Sequence, residues 1–362
     1  MVPINSLIRG FQLHQEEFEQ KAIEVLRSGW YVLGNEVACF EEEMAKYVGA
    51  KYCIGVDNGL NAISLGIKAL EIGEGDEVIV AANTYIATVL GVSHNKATPV
   101  FVDADEYHNI DPNKIEAAIT EKTKAVLVTH FYGQACQMDK IKEICDRNNL
   151  YLLEDCAQAH EAEFNGKQVG TWGIMGFFSF YPTKNMGGFG DGGAITTDNE
   201  ELDKKLRMLR NYGSSKRYVN DYEGNNSRLD ELQAGLLRVK LKYMDNITAE
   251  RKAIAEKYFE KMNNSKVELP KTAEGCTHVY HLFVVQVDDQ EAFRKHMEEC
   301  GVATDVHYPT PPYLAKPYSY LGYTHNDFPV TKHLYSRIVS IPIFTGMTEE
   351  EQEIVINAVN KY

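Results

Sequence analysis

The chain has 362 residues with a net charge of −15, 44% hydrophobic residues and 25% charged residues. This length predicts a large core and two domains, and the composition is typical of a soluble globular protein. An acidic chain without a block of lysines or arginines is a poor candidate for binding nucleic acid or an anionic membrane surface.

The cysteines and the N-terminal segment indicate the compartment. Seven cysteines are scattered without a Cys-x-x-Cys pair, which favours reduced core thiols and makes a zinc site or other metal site unexpected. The N-terminal segment lacks the uninterrupted apolar stretch of a signal peptide, and no run is long enough to span a bilayer. We therefore expect a cytoplasmic protein without a metal centre.

Apolar spacing predicts amphipathic helices over 14–28 and 36–48, followed by alternating strands and helices from residue 50. The predicted strands are 52–56, 77–81, 98–103, 124–129, 150–154, 175–181 and 193–197. The predicted helices between them are 60–71, 84–94, 112–119, 137–148 and 199–211. This alternation predicts an α/β fold with a mostly parallel, doubly wound sheet of seven strands.

The remaining residues predict a surface loop over 213–227, one long helix over 229–259 and a smaller α+β C-terminal domain. Its predicted elements are strands 279–287, 302–307 and 338–341, and helices 289–300, 329–337 and 348–361. We place a large domain at 1–245, with an N-terminal helical segment at 1–48, and a small domain at 246–362. Ligands of such sheets bind beyond the carboxyl ends of the strands.

One lysine stands out because of its surroundings. The aromatic run 177–181 ends at Pro182, and Lys184 follows just before five glycines within 187–193. These neighbours do not cover its amine, and glycine lets the backbone approach a flat ligand closely. The stretch predicts that Lys184 forms a Schiff base with pyridoxal phosphate. Residues 188–193 also match the pattern Gly-x-Gly-x-x-Gly, but a strand follows instead of a helix, which argues against a nicotinamide site.

Loops after two strands offer further cofactor contacts. Gly59 and Leu60 begin a helix whose free amides would bind a phosphate, although an ordinary capped helix start explains the same residues. Tyr85 is either an aromatic that stacks on a cofactor ring or a core tyrosine.

The end of the strand 150–154 carries two adjacent carboxylates, and burying an unpaired carboxylate is costly. Strand alternation points Glu154 and Asp155 to opposite faces, and Asp155 is our candidate partner for a protonated pyridine nitrogen. The alternative is a structural carboxylate that caps the next helix. Gln158 would lie near the ring hydroxyl. The Ser179 hydroxyl would donate to a phosphate oxygen or equally well to a backbone carbonyl.

Taken together in this order and spacing, these motifs resemble the nucleotide-sugar aminotransferases of the DegT/StrS type, which have the aspartate-aminotransferase (type I) fold. The resemblance covers essentially the whole chain. The motifs that carry it are residues 28–34, 83–88, 154–160, 179–185, 190–194, 226–234, 307–309 and 341–342.

The resemblance implies a role for each matched residue. Lys184 would be the Schiff-base lysine and general base, and Asp155 the partner of the pyridine nitrogen. Tyr85 would stack on the ring, Gln158 lie near its hydroxyl and Ser179 hold the phosphate. Asn226 matches an asparagine that reaches the phosphate in the neighbouring subunit, which implies a homodimer with sites shared between chains.

The resemblance also has departures. Leu60 replaces a serine or threonine that many members carry, and residues 58–62 resemble the branch that aminates the 3-position of dTDP-3-keto-6-deoxyhexoses. Tyr313 stands near the place of a family histidine. The candidate sugar contacts are Tyr31, His307, Tyr308 and Tyr313.

The expected activity is transfer of the amino group of L-glutamate, through pyridoxamine phosphate, to C3 of a dTDP-3-keto-6-deoxyhexose. The product would be a dTDP-3-amino-3,6-dideoxyhexose for surface polysaccharide. The nearest alternative is amination at C4 of a 4-keto sugar by the same residues. A deoxygenating dehydratase of this fold is disfavoured because the family's example has histidine in place of Lys184. A cofactor-binding regulator is disfavoured by the acidic charge and the lack of a DNA-binding appendage.

Overall fold

The structure is a computed structural model that describes residues 1–362 and contains one central seven-stranded sheet. Five neighbouring strands pair in parallel, whereas Gly193–Thr197 runs antiparallel to both of its neighbours. The predicted mostly parallel sheet is therefore confirmed. In spatial order the strands are Tyr52–Val56, Gly193–Thr197, Met175–Ser179, Tyr151–Asp155, Thr123–Thr129, Glu77–Ala81 and Thr98–Val102.

Helices cover both faces of this sheet, because its apolar strands are buried on either side. A core of 35 buried residues packs one face against Asn35–Val48, Met138–Arg147 and Glu231–Leu241. A core of 27 residues packs the other face against Gly59–Ala69, Ile86–Ser93 and Glu200–Leu209. The other helices of this part are Leu7–Gln12, Gln15–Ser28 and Pro112–Ile115.

The C-terminal part forms a smaller α+β unit around its own core of 21 buried residues. Its antiparallel sheet consists of Val267–Glu268, Phe283–Val287 and Ile338–Ile341. The helices around it are Met244–Lys261, Gln290–Glu299, Pro329–Tyr335 and Glu349–Lys361. The exact domain boundary at residue 245 stays a prediction. No helix anywhere in the chain combines the length and the apolar character that crossing a membrane requires.

Three predicted elements differ from the structure. The helix predicted over 229–259 is two helices that are interrupted at Tyr243, whose ring stacks on His14 at 3.5 Å between ring centroids. Residues 302–307 form no strand, since their pairing is divided between Val2 and Ser340. Residues 213–227 are not an irregular loop but contain a short two-stranded hairpin, Ser214–Lys216 with Val219–Asn220.

Candidate active site

The predicted cofactor residues lie where strands of the central sheet end. Asp155 and Ser179 end neighbouring parallel strands, and Lys184 follows Ser179 by five residues. Gly59 lies against Ser179, because a Cβ built on Gly59 would be 2.7 Å from the Ser179 Cβ. Lys184 and Asp155 act on each other electrostatically. The structure thus brings these four residues together at one edge of the sheet.

The backbone around Lys184 is a tight turn. The Lys184 amide donates to the Tyr181 carbonyl at 2.8 Å, and a Cβ on Gly187 would lie 2.1 Å from the Pro182 carbonyl oxygen, so only glycine fits there. The Lys184 amine makes no hydrogen bond or ion pair within the chain. Burial lowers the pKa of this amine to about 8, and the opposing attraction of Asp155 only partly offsets that effect. A larger fraction of the amine is therefore neutral near pH 8 than for an exposed lysine.

Asp155 is a buried carboxylate, 5% exposed, with no cation within ion-pair distance. Its Oδ2 accepts a hydrogen bond from Thr88 at 2.6 Å and its Oδ1 accepts one from the Ala157 amide at 3.1 Å. Burial raises the pKa of Asp155, while Thr88, the Ala157 amide and the charge of Lys184 act in the opposite direction. Each oxygen keeps a lone pair for a further donor. No α-helix begins at this point, so Asp155 is not the helix cap of the alternative interpretation.

Glu154 points to the other face, as strand alternation predicts, and is completely buried. Its carboxylate accepts hydrogen bonds from three backbone amides at 2.7–2.8 Å and contacts His130 at 3.1 Å. His130, Glu154 and Cys156 lie close enough to hold a metal ion. However, the second ring nitrogen of His130 already accepts from the Cys136 amide. These partners explain the cluster as part of the fold.

The residues predicted to bind the cofactor phosphate include hydrogen-bond donors that have no partner in the chain. Asn58 caps the helix Gly59–Ala69 by accepting from the Asn61 amide at 2.8 Å, whereas the Gly59 and Leu60 amides donate to no group in the chain. The Ser179 Oγ accepts from the Tyr181 amide at 3.3 Å but donates to no carbonyl. The Ser179 hydroxyl therefore does not donate to a backbone carbonyl, which was the alternative interpretation. Three donors, the Gly59 and Leu60 amides and the Ser179 hydroxyl, remain for an anion.

Aromatic side chains surround the place predicted for the cofactor ring. Tyr85 is 45% exposed, which excludes a core tyrosine, and its ring centroid lies 4.5 Å from that of Tyr308. Gln158 donates to the Tyr308 hydroxyl at 3.2 Å, and its Oε1 accepts from the Tyr132 amide at 2.7 Å. Tyr132 also donates from its hydroxyl to the His307 carbonyl. Tyr308 and His307 therefore border the residues predicted to hold the cofactor.

The other candidate sugar contacts lie elsewhere in this chain. Tyr31 is 52% exposed and its hydroxyl donates to the Leu26 carbonyl. Tyr313 is only 1% exposed, packs on Phe328 and contacts His325 through its hydroxyl. A sugar contact would require Tyr313 to leave this core.

Asn226 is exposed, and its side chain makes no hydrogen bond within the chain. Its backbone is held in an isolated bridge with Asn211, and the next residue, Ser227, donates to Asp57. A free amide on a fixed backbone is available to a neighbouring chain.

Sequence reasoning missed the contact between Thr88 and Asp155. The only signal was a polar residue inside the largely apolar helix Ile86–Ser93, three residues after Tyr85. That signal does not reveal which strand end the hydroxyl meets.

The comparisons with known proteins extend over the whole chain. A sequence model described as the DegT/DnrJ/EryC1/StrS aminotransferase family matches residues 12–360. The chain is 50% identical to a dTDP-3-amino-3,6-dideoxy-alpha-D-galactopyranose transaminase of Aneurinibacillus thermoaerophilus, covering 100% of this chain and 99% of the relative.

Two solved structures are also similar. The S. venezuelae DesV structure in complex with a ketimine intermediate has a TM-score of 0.97 and 40% identity, covering 99% of this chain and 98% of that chain. The structure of NtdA from Bacillus subtilis with bound cofactor PMP has a TM-score of 0.87 and 32% identity, covering 95% of this chain and 80% of that chain.

Proposed function

We propose that this chain, which belongs to the DegT/DnrJ/EryC1/StrS aminotransferase family, transfers an amino group from L-glutamate to C3 of a dTDP-3-keto-6-deoxyhexose. It is a sugar aminotransferase that uses pyridoxal 5'-phosphate. The choice of C3 and of dTDP is supported by the 50% identity to a dTDP-3-amino-3,6-dideoxyhexose transaminase over the full length of both chains. The product would serve surface-polysaccharide synthesis.

The residues of the site fit this cofactor. Asp155 is a buried anion without a cation, which suits a protonated ring nitrogen. The free amides of Gly59 and Leu60 and the Ser179 hydroxyl suit a phosphate. Lys184 offers an amine without a partner. When bound, the cofactor supplies an electron sink for the carbon that loses or gains a proton.

In this proposal Lys184 moves the proton. In the first half of the reaction its Nζ would move a proton from the carbon of L-glutamate that bears the amine to the cofactor. In the second half it would move a proton from the cofactor to C3 of the sugar. A general base is most effective when its pKa lies near the working pH. Burial lowers the pKa of Lys184 to about 8, close to that condition.

Amination at C4 is the alternative, and a direct assay separates the two. Purified enzyme loaded with pyridoxamine phosphate is mixed with a dTDP-3-keto-6-deoxyhexose or with the 4-keto isomer, and the aminosugar is identified by mass spectrometry and NMR. We expect turnover of the 3-keto sugar. Turnover of the 4-keto sugar alone would contradict the position, while leaving the transaminase assignment intact.

We further propose a homodimer in which Asn226 of each chain binds the phosphate in the site of the other. This proposal is supported by the exposed, unbonded side chain of Asn226 on an anchored backbone. Closed two-fold dimers are the simplest assembly that shares sites reciprocally.

The seven free cysteines are consistent with the cytoplasmic location predicted from the sequence.

Mixing two inactive variants tests the shared site. Asn226→Asp places a negative charge against the predicted phosphate and should lose the cofactor, and Lys184→Ala should lose proton transfer. A hybrid dimer contains one site with both native residues, so unfolding and refolding an equal mixture should restore about a quarter of wild-type activity. Asn225→Asp, which adds the same charge at the preceding, less exposed residue, should remain active. A mixture with no more activity than its components would contradict the shared site.

A further inference from the structure

Three buried threonines connect the ends of three neighbouring strands at the site. Thr88 lies in the helix after Glu77–Ala81, Thr129 ends the next strand, and Asp155 ends the strand beyond it. The Thr88 Oγ1 lies 2.6 Å from Asp155 Oδ2 and 2.8 Å from the Thr84 Oγ1, which in turn lies 2.8 Å from the Thr129 Oγ1. The three threonines are 1–4% exposed, so water does not compete for their hydroxyls.

The proton on each hydroxyl can be assigned by counting donors. An ionised carboxylate only accepts, so the single Thr88 proton must go to Asp155. The contact between Thr84 and Thr88 then needs the Thr84 proton, and the contact between Thr84 and Thr129 needs the Thr129 proton. All three O–H groups therefore point along the chain toward Asp155. A protonated Asp155 would not impose this direction.

We propose that Thr88 is a positioning residue whose hydroxyl, polarised by Thr84 and Thr129, keeps the Asp155 carboxylate ionised and fixed toward the cofactor ring nitrogen. This inference rests on the proposed pairing of Asp155 with that nitrogen. Hydrogen bonds that end on an ion are short and strong, and a chain of aligned hydroxyls strengthens its last member. The 2.6 Å distance to Oδ2 agrees with that expectation.

The hydrogen bonds of the three threonines oppose the effect of burial on the pKa of Asp155. Burial raises the pKa of Asp155, and Thr88 is the largest influence that lowers it, followed by the Ala157 amide, Lys184 and His130. Tyr308 also faces Asp155, and Glu154 occupies the opposite face. None of these groups hydrogen-bonds to the side chain of one of the three threonines, so the side-chain hydrogen bonds connect Thr84 to the Asp155 carboxylate through Thr88. The backbone of Thr129 also pairs with Asp155 in the sheet.

The test uses Thr88→Val, which replaces the hydroxyl by a methyl group, Thr88→Ser, which keeps the hydroxyl, and Thr84→Val, which does not touch Asp155. Each holoenzyme is loaded with pyridoxamine phosphate that carries 15N in its ring, and NMR follows protonation of that nitrogen against pH. In Thr88→Val the Asp155 carboxylate loses one hydrogen bond and is no longer kept ionised opposite the ring nitrogen. We therefore expect the midpoint for deprotonation of the ring nitrogen to fall by about one to two pH units. Thr84→Val should shift the midpoint in the same direction by less, and Thr88→Ser should restore it.

A second measurement separates positioning from general stability. For the same variants loaded instead with pyridoxal phosphate, the rate of the half-reaction with L-glutamate should fall with the midpoint, whereas the melting temperature should not follow that order. Unchanged midpoints in Thr88→Val and Thr84→Val, with only the melting temperature lowered, would overturn the inference. An unchanged midpoint in Asp155→Asn would instead overturn the pairing on which it rests.

Discussion

Replacing Lys184 with alanine is expected to reduce transamination by about 10³- to 10⁴-fold, which is the upper part of the roughly 10²- to 10⁴-fold range that a positioned general base contributes. The measurement is single-turnover conversion of L-glutamate by variant enzyme saturated with pyridoxal phosphate. The variant should still bind pyridoxamine phosphate, since Asp155 and the free amides of Gly59 and Leu60 are unchanged.

Lys240 is the matched control for this experiment. It borders the same cavity of about 270 Å³ as Lys184, and burial together with the nearby charge of Arg251 also lowers its pKa to about 8. Its amine, however, donates to the Gly187 carbonyl at 3.0 Å. We expect Lys240→Ala to keep activity within about tenfold of wild type. Activity that survives in Lys184→Ala and disappears in Lys240→Ala would show that Lys240, and not Lys184, is the general base.

Replacing Asp155 with asparagine is expected to give the second-largest loss. The amide keeps the size of the side chain but removes the charge that we propose pairs with the cofactor ring nitrogen. Losing one partner of a buried ion pair costs about 3–5 kcal/mol, which corresponds to roughly 10²- to 10⁴-fold in rate. The loss should appear in kcat for both half-reactions, because both depend on the same ring nitrogen.

Glu154→Gln is the comparison for Asp155→Asn. Glu154 is the adjacent carboxylate, but its oxygens are occupied by the amides of Gly170, Trp172 and Gly173. The amide nitrogen of glutamine would face one of those donors, so we expect a lower melting temperature with nearly unchanged kcat for the folded fraction. Equal losses of kcat in the two variants would contradict the separate roles assigned to these carboxylates.

The sequence predicted those features of the site that depend on local patterns. Alternation along Tyr151–Asp155 was sufficient to place Glu154 and Asp155 on opposite faces. The glycines after Lys184 predicted a backbone that allows close approach, and Gly187 indeed tolerates no side chain. The resemblance to a known family, which the comparisons confirm, supplied the roles that these local patterns left open.

The features that were not predicted depend on the order of strands in space. Thr88, Thr129 and Asp155 are distant in sequence and meet only because their strands are consecutive in the sheet. In the same way, Tyr243, whose ring stacks on the distant His14, lies at the break in a segment whose residues favour one continuous helix. The burial of Tyr313 was not predicted either, because this tyrosine lies in a proline-rich segment and yet is buried in the core.

The most direct test of the account identifies the lysine that holds the cofactor. Enzyme purified with pyridoxal phosphate is reduced with borohydride, digested, and analysed by mass spectrometry for the peptide that carries the pyridoxyl group. We expect a single modified residue, Lys184. A label on Lys240, or no label on a preparation that still transaminates, would contradict it.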